Sequence, residues 1–394
     1  MAKQATKGAV TKAPLKKKTG LESFKEFKQN NGYVYNNADK PMEWLLMPKG
    51  FTDATRLNIP TGVVISILGH SNSGKSTIIN HAITAAQQQG IIPVIIDTEN
   101  AFKFEYAMNM GFKAEPVYED VEIVDEETGE VHTEKQITSY DGDFLYFNNT
   151  ILADRYGYND YTTGKTVSKK RKTAVIEDIA QCVNDLLDAQ EDGELQAPLL
   201  FVWDSVGSIG SWQEYASGKK ANNMWQAGAI STAMRDIFDN RIPSSRKVTS
   251  EYTNTFIYIQ KISVGTTPTG IATAKGKGGL QLQYSNRLQF FLGGITSAGT
   301  KVQTVTSKGV QFDYATETKI KITKNHLPSP YNITGEGKFI CTHKGIIGID
   351  ELEDYKKKNL PELLKQLNKA LEERGESAVS AGDIEFAEHE SEEA

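Results

Sequence analysis

Cysteine is almost missing from this sequence. The 394 residues include two, Cys182 and Cys341, which lie far apart and match no metal-binding or redox spacing; this argues against a disulfide framework and reads as two buried thiols. Long apolar runs are missing too. Nothing approaches the roughly 18 residues that would span a bilayer, and the N-terminus has no hydrophobic signal region. The chain is therefore expected in the cytoplasm with no membrane partner. Acid is missing from one stretch. Net charge is −6, which alone argues against a polyanionic partner, yet residues 252–312 contain no Asp or Glu and carry Lys261, Lys275, Lys277, Arg287, Lys301 and Lys308. That segment is either an electrostatic footprint for nucleic acid or a solvated loop, and composition does not choose between them.

What is present is an alternation. Strand-like runs at 62–68, 93–98, 143–147, 197–204, 255–261 and 288–295 are interleaved with helix-like stretches at 75–89, 103–110, 173–190 and 221–240. This order predicts an α/β fold with a mostly parallel twisted sheet flanked by helices. VVISIL and PLLFVW are apolar without alternation, as strands buried on both faces should be. Residues 1–20 hold six lysines and no acid, and 373–394 are dominated by carboxylates, so both ends read as disordered tails. Between them lie an N-terminal segment (21–50), a core (51–330) with hairpin insertions at about 115–172, and a small C-terminal region (331–372). In that last region NLPELLKQLNKALEERG predicts an amphipathic helix, with Leu360, Leu363, Leu364, Leu367 and Leu371 on one stripe that covers the core or meets another subunit.

The chemistry begins at GHSNSGKS, residues 69–76, a G-x-x-x-x-G-K-[ST] phosphate loop set between a strand and a helix. Gly69 and Gly74 allow the tight turn, so that amides of Ser71, Asn72, Ser73 and the helix start through Thr77 face one anion. Lys75 is expected to reach the β- and γ-phosphates, and the Ser76 hydroxyl to bind Mg²⁺. Two apolar runs stop on acids. PLLFVWDS ends at Asp204, the place for a carboxylate that holds Mg²⁺ beside Ser76, and PVIIDTEN ends on Asp97 and Glu99, where a carboxylate would activate the attacking water. A strand-terminal Asp also serves as a cap, but the phosphate loop in the same sheet favours chemistry. Position 205 is serine, so the base must come from another strand, and Glu99 fits.

In this order GHSNSGKS, IIDTENAFKFEYAMNMGF, LLFVWDSVGSIGS, TFIYIQKI, GGLQLQYSNRLQFFLGG and TETKIKITKNHLPSPY resemble the RecA recombinase family, and within it the phage recombinases similar to UvsX, over about residues 45–350. The resemblance implies a RecA-like ATPase core that uses ATP and Mg²⁺, with Glu99 as catalytic carboxylate. It implies that Tyr106 stacks on adenine, although Tyr106 would equally suit a packed helix face. It places a γ-phosphate sensor at Gln260 or Lys261, and in Lys324 and His326 a basic pair that reaches a neighbour's γ-phosphate; the alternative for that pair is an ordinary exposed strand end. DNA-binding loops would span about 208–222 and 262–283, with Lys219, Lys220, Lys275, Lys277, Gly278 and Gly279 as contacts. The second loop's Gly/Thr richness predicts mobility until a ligand orders it. Trp212 is expected to pack more readily than to stack on a base.

Other segments fall outside that pattern. VYEDVEIVDEETGEVHTEKQI predicts a hairpin, and the cluster Lys169, Lys170, Arg171 and Lys172 a solvated loop in preference to a DNA contact. Phe24 and Phe27, at helical spacing, would anchor the N-terminal segment on a neighbour or on its own core. The acidic tail would either compete with DNA for basic loops or simply keep the chain soluble. The implied function is a DNA-dependent ATPase that forms helical filaments on single-stranded DNA and promotes homologous pairing and strand exchange with duplex DNA. A single-strand-binding protein and a loading mediator would be further partners. The alternatives are a hexameric DNA helicase on the same core, or a non-catalytic ATP-binding scaffold.

Overall fold

The computed structural model describes residues 19–32, 38–124, 131–218, 223–266, 272–276, 279–295, 297 and 299–390. Six strands make the heart of the central sheet: β1 (Val64–Gly69), β2 (Ile92–Asp97), β3 (Leu145–Asn148), β4 (Leu199–Val206), β5 (Thr255–Thr266) and β6 (Leu288–Leu292). They lie in the order β6-β1-β5-β4-β2-β3, and every pairing among them is parallel. The apolar runs without alternation are explained by two cores. Ile65 and Ile67 of β1 and Leu200 and Val202 of β4 face one core, whereas Val64, Leu199, Phe201 and Trp203 face the other. All of them are almost completely buried.

Antiparallel strands extend the sheet beyond β6. These are β7 (Lys301–Ser307), β8 (Val310–Asn325), β9 (Glu336–Thr342) and β10 (Gly345–Ile347). The long β8 pairs with β6 at its far end, with β7 at its near end and with β9 between them. Residues 336–347 therefore continue the sheet instead of starting a separate C-terminal region.

Among the helices that flank the sheet or bear on the site are α1 (Gly20–Asn30), α2 (Lys75–Gln88), α3 (Ile176–Glu191), α4 (Asn223–Asp236) and α5 (Leu352–Glu373). Helix α1 is closed by a capping box, Thr19 with Glu22. Nothing among the described residues buries its stripe: Leu21, Phe24 and Phe27 are all exposed. Helix α5 begins earlier than its leucines suggest and covers the chain's own core, with Leu363, Leu367 and Leu371 fully buried against Val305, Tyr314 and Ile340. Residues 115–172 are not one insertion: a long hairpin, Glu115–Val124 with Val131–Asp141, and a short one, Asn159–Asp160 with Lys165–Thr166, stand in sequence on either side of β3 of the central sheet.

Two further expectations need correction. The acidic tail is not structureless up to residue 390, because Glu385–Glu390, here β11, pairs antiparallel with β7. Its acids are tolerated because Glu388 is bound by Lys301 (2.6 Å) and Gln303 (2.6 Å) while the backbone supplies the ladder. The basic tail through residue 18 lies outside the described residues. In the cluster 169–172, Arg171 is not a solvated residue but is fully buried. Its guanidinium donates to both oxygens of buried Asp178 (2.7 and 2.8 Å) and to Tyr156 O (3.0 Å), and lies under the rings of Trp212, Tyr161 and Tyr215. Removing one partner of a buried ion pair strands the other. Arg171→Ala is therefore expected to cost about 3–5 kcal/mol of stability, read as a lower urea midpoint.

Candidate active site

The phosphate loop leaves β1 at Gly69, its last residue, at the carboxyl end of the sheet. Gly74 has φ +87°, and a Cβ there would stand 2.7 Å from Cys341 Sγ, so both conformation and space require glycine. Gly74 is also the N-cap of α2, and no side chain caps that helix. The first amides of α2 are thus left for an anion, where the helix dipole favours negative charge.

The loop is internally braced. Ser73 Oγ donates to His70 O (2.8 Å), and Lys75 Nζ donates to the same carbonyl and to Ser73 Oγ (3.5 Å). Lys75 is 7% exposed, and burial pushes its ammonium down to about 8. Ser76, exposed beside it, donates from its hydroxyl to Asp204 Oδ2 (3.2 Å). Burial, then the nearby charge of Glu99, raises Asp204 to about 6. A hydroxyl beside a carboxylate is a hard-oxygen set, and Ser76 and Asp204 would suit Mg²⁺.

Glu99 and Asp97 divide their work. Asp97 is a scaffold: its carboxylate accepts from the amides of Glu99 (3.3 Å), Ala101 (3.1 Å) and Phe102 (2.9 Å) and from Tyr146 Oη (3.0 Å). This turn places Glu99 between Ser205 and Lys261. Glu99 Oε1 accepts from the Ser205 hydroxyl and Oε2 from Lys261 Nζ (2.9 Å). Burial would raise the Glu99 pKa, but these two hydrogen bonds and the charges of Lys261 and Lys75 outweigh it and hold the carboxyl below its ordinary range. Thr98 fastens the same turn to β4: its amide donates to Asp204 O (2.8 Å), and its hydroxyl accepts from Trp203 Nε1 (3.0 Å). The acid-bearing ends of β2 and β4 are therefore one welded unit. Sequence reasoning passed over Ser205 and Thr98, whose only signal was a place beside the acids.

The two sensor candidates differ in place. Gln260 is fully buried within β5, whereas Lys261 pairs in register with Gly69 and carries its ammonium to Glu99. Tyr106 lines the same cleft of about 600 Å³ as Asn72 to Thr77. Its hydroxyl meets Thr77 Oγ1 (3.1 Å) and donates to Thr342 O (3.0 Å).

A model of the RecA N-terminal domain matches residues 54–137, from before the phosphate loop past Glu99 and Tyr106. A RecA protein of Mesomycoplasma hyopneumoniae strain 7448 is 34% identical over 102 residues, 25% of this chain and 28% of that protein. Similar proteins include the RecA of Macrococcus caseolyticus, 42% identical over 59 residues (15% and 17% of the two chains), and that of Arthrobacter sp. strain FB24, 45% over 53 residues (14% and 15%). Over this stretch the chain is RecA-like. The aligned part spans under a third of each of these RecA relatives.

The loops flanking the RecA-type site are partly described. After β4, the helix Trp212–Ser217 is capped by Ser211 and tied to the second insertion. Trp212 is buried, donating from Nε1 to Thr162 Oγ1 (2.8 Å) and from its amide to Glu177 Oε2 (2.8 Å), so it packs and offers no face to a base. Lys219 and Lys220 lie outside the described residues. The second loop is more regular than its composition suggests, because β5 runs on to Thr266 and pairs antiparallel with Ala272–Gly276. Lys275 stands in that hairpin, opposite Ser263. Lys277 and Gly278 lie outside the described residues, and Gly279 (φ +87°) opens the helix Leu280–Ser285.

Lys324 and His326 are not among the residues that line the phosphate cleft. Both line a second cleft of about 890 Å³ together with Tyr284, Lys319, Lys321 and Glu336. Lys324 Nζ donates to the carbonyls of Gln283 and Tyr284 (3.1 Å), and burial lowers its pKa. Among the described residues no helix is long and apolar enough to cross a membrane.

Proposed function

We propose that this protein is a DNA-dependent ATPase that assembles on single-stranded DNA and promotes homologous pairing and strand exchange in recombination and repair. The observation that carries the reading is the Lys261–Glu99 contact (2.9 Å): Glu99 is near enough to Lys75 and Asp204 for its charge to act on both, and Lys261 lies on the strand that continues into the 262–276 hairpin. One strand thus connects the reacting end of a nucleotide to a segment suited to DNA.

In this reading Lys75 and the first amides of α2 bind the β- and γ-phosphates, and Ser76 with Asp204 holds Mg²⁺, which when bound neutralises phosphate charge. Glu99 orients the attacking water and takes its proton. While Lys261 is paired with it, Glu99 is a weak base. A γ-phosphate draws the Lys261 ammonium away, which raises the Glu99 pKa and shifts the hairpin in one step. Lys324 and His326 would meet the triphosphate of an adjacent protomer, and the uncovered stripe of α1 would seat on that protomer, so turnover needs assembly. The hairpin grips phosphates without reading bases, and its hold weakens as salt rises.

ATP hydrolysis with and without single-stranded DNA tests this, together with joint-molecule formation on homologous and heterologous duplexes. Stimulation by DNA of more than about tenfold is expected if loop ordering of about 1.4 kcal/mol or more is coupled to the site, with joint molecules only on homologous duplex. Stimulation below a few fold would support a scaffold, and closed rings with ATP a helicase.

A further inference from the structure

The phosphate cleft has an outer wall to which the proposed hydrolysis assigns no role. Facing the loop across the cleft are Thr300, Val302, Tyr314 and Thr316 of the β7–β8 region and His389 of β11. The C-terminal strand thus forms part of the same cleft as Lys75 and Tyr106.

That wall is built. β11 makes a continuous ladder with β7, from Lys301 opposite Glu390 to Thr306 opposite Glu385. Side chains lock it at several points. Glu388 accepts from Lys301 and Gln303, Ser307 Oγ donates to Asp383 O (2.8 Å), and Phe386 sits edge-on against the Tyr314 ring at 5.7 Å. The register places His389 opposite Val302, which lines the cleft as well.

Tyr314 supplies the independent sign of a ligand. The residue is only 3% exposed and lines the cleft, and its hydroxyl has no protein partner among the described residues. A buried hydroxyl left unpaired costs stability, so its persistence in a cleft wall marks a position that a ligand's polar atom or a water fills. The phosphates of a nucleotide are fixed at Gly74 and Lys75. The polar, mostly uncharged wall opposite suits the donors and acceptors of a nucleoside.

We propose that β11 is a structural part of the nucleotide site, and that Tyr314 and His389 contact the base or ribose of a bound nucleoside triphosphate. The proposal rests on the reading of the cleft as a nucleotide site. It gives the C-terminal segment a direct role at the nucleotide, apart from any effect of its charge on DNA.

The test compares two probes by calorimetry on the full chain: ATP, which has a nucleoside, and inorganic tripolyphosphate, which has none. Tyr314→Phe removes one oxygen and keeps the ring against Phe386, and His389→Ala alters an exposed side chain, so neither should disturb folding. Each variant is expected to weaken ATP binding roughly three- to tenfold, the loss of about one hydrogen bond, and to leave tripolyphosphate binding unchanged. Wild-type ATP affinity in both variants would overturn the proposal while leaving the phosphate loop's role intact. Equal weakening for both probes, or tighter ATP binding, would also overturn it, showing a general disturbance or an obstruction. If the unaltered chain bound neither probe, the nucleotide reading itself would fall.

Discussion

Glu99→Gln is expected to bind ATP nearly as tightly as the unaltered chain and to hydrolyse it at least about a hundredfold more slowly, the usual contribution of a positioned general base. The amide keeps the size of Glu99 and an oxygen able to accept from Ser205, so the turn held by Asp97 survives. What is lost is the capacity to take a proton. Asp97 cannot substitute, because its carboxylate already accepts from three backbone amides and the Tyr146 hydroxyl. The substitution also removes the charge that holds Lys261, so the 262–276 hairpin should adopt its nucleotide-bound state more readily. Single-turnover hydrolysis with nucleotide binding measured alongside checks this, and turnover at the original rate would place the base elsewhere.

Lys75→Met is expected to reduce ATP affinity at least about thirtyfold, since truncating one partner of a buried charge contact costs about 2–5 kcal/mol or more. The variant should melt no lower than the parent chain. The ammonium is confined among His70 O, Ser73 Oγ and the loop backbone with little water, which is why its pKa falls to about 8. A cation whose folded pKa lies below its unfolded value destabilises the fold at pH below that folded value, and the penalty fades as pH rises from about 8 towards about 10.5. Methionine keeps the apolar stem and removes the charge. Lost binding with an undiminished melting temperature at pH 7 would separate a ligand-directed lysine from a structural one. A large drop in melting temperature would show that the loop needs the ammonium in order to fold.

The parallel sheet was legible because central strands buried on both faces must be apolar throughout, as VVISIL and PLLFVW are. The phosphate loop was legible because glycine spacing and lysine position are fixed by local geometry. Arg171 was not. In KKRK four cations look alike, and what separates Arg171 is a pocket assembled from Asp178, from the nearby ring of Tyr161 and from the rings of Trp212 and Tyr215, about forty residues away. The strand EFAEHE was hidden for a related reason. Its composition advertises solvated acid, but an edge strand is held by its backbone, and the partners of Glu388 lie on β7, far away in sequence. Gln260 and Lys261 could not be ranked from order alone, since adjacent residues on a strand face opposite sides and only the register with β1 shows which meets the cleft.

If a phosphate draws Lys261 from Glu99, the hairpin that prolongs β5 would serve as a lever. From Lys261 to Thr266 the chain is extended and paired, which at about 3.3 Å per residue makes an arm of roughly 16 Å. With its pivot beside the acid that Lys261 holds, a tilt of about 10° would sweep the far end by about 3 Å, comparable to one strand residue. A sub-ångström rearrangement around a phosphate would thus arrive at the far end magnified several times, with no other moving part.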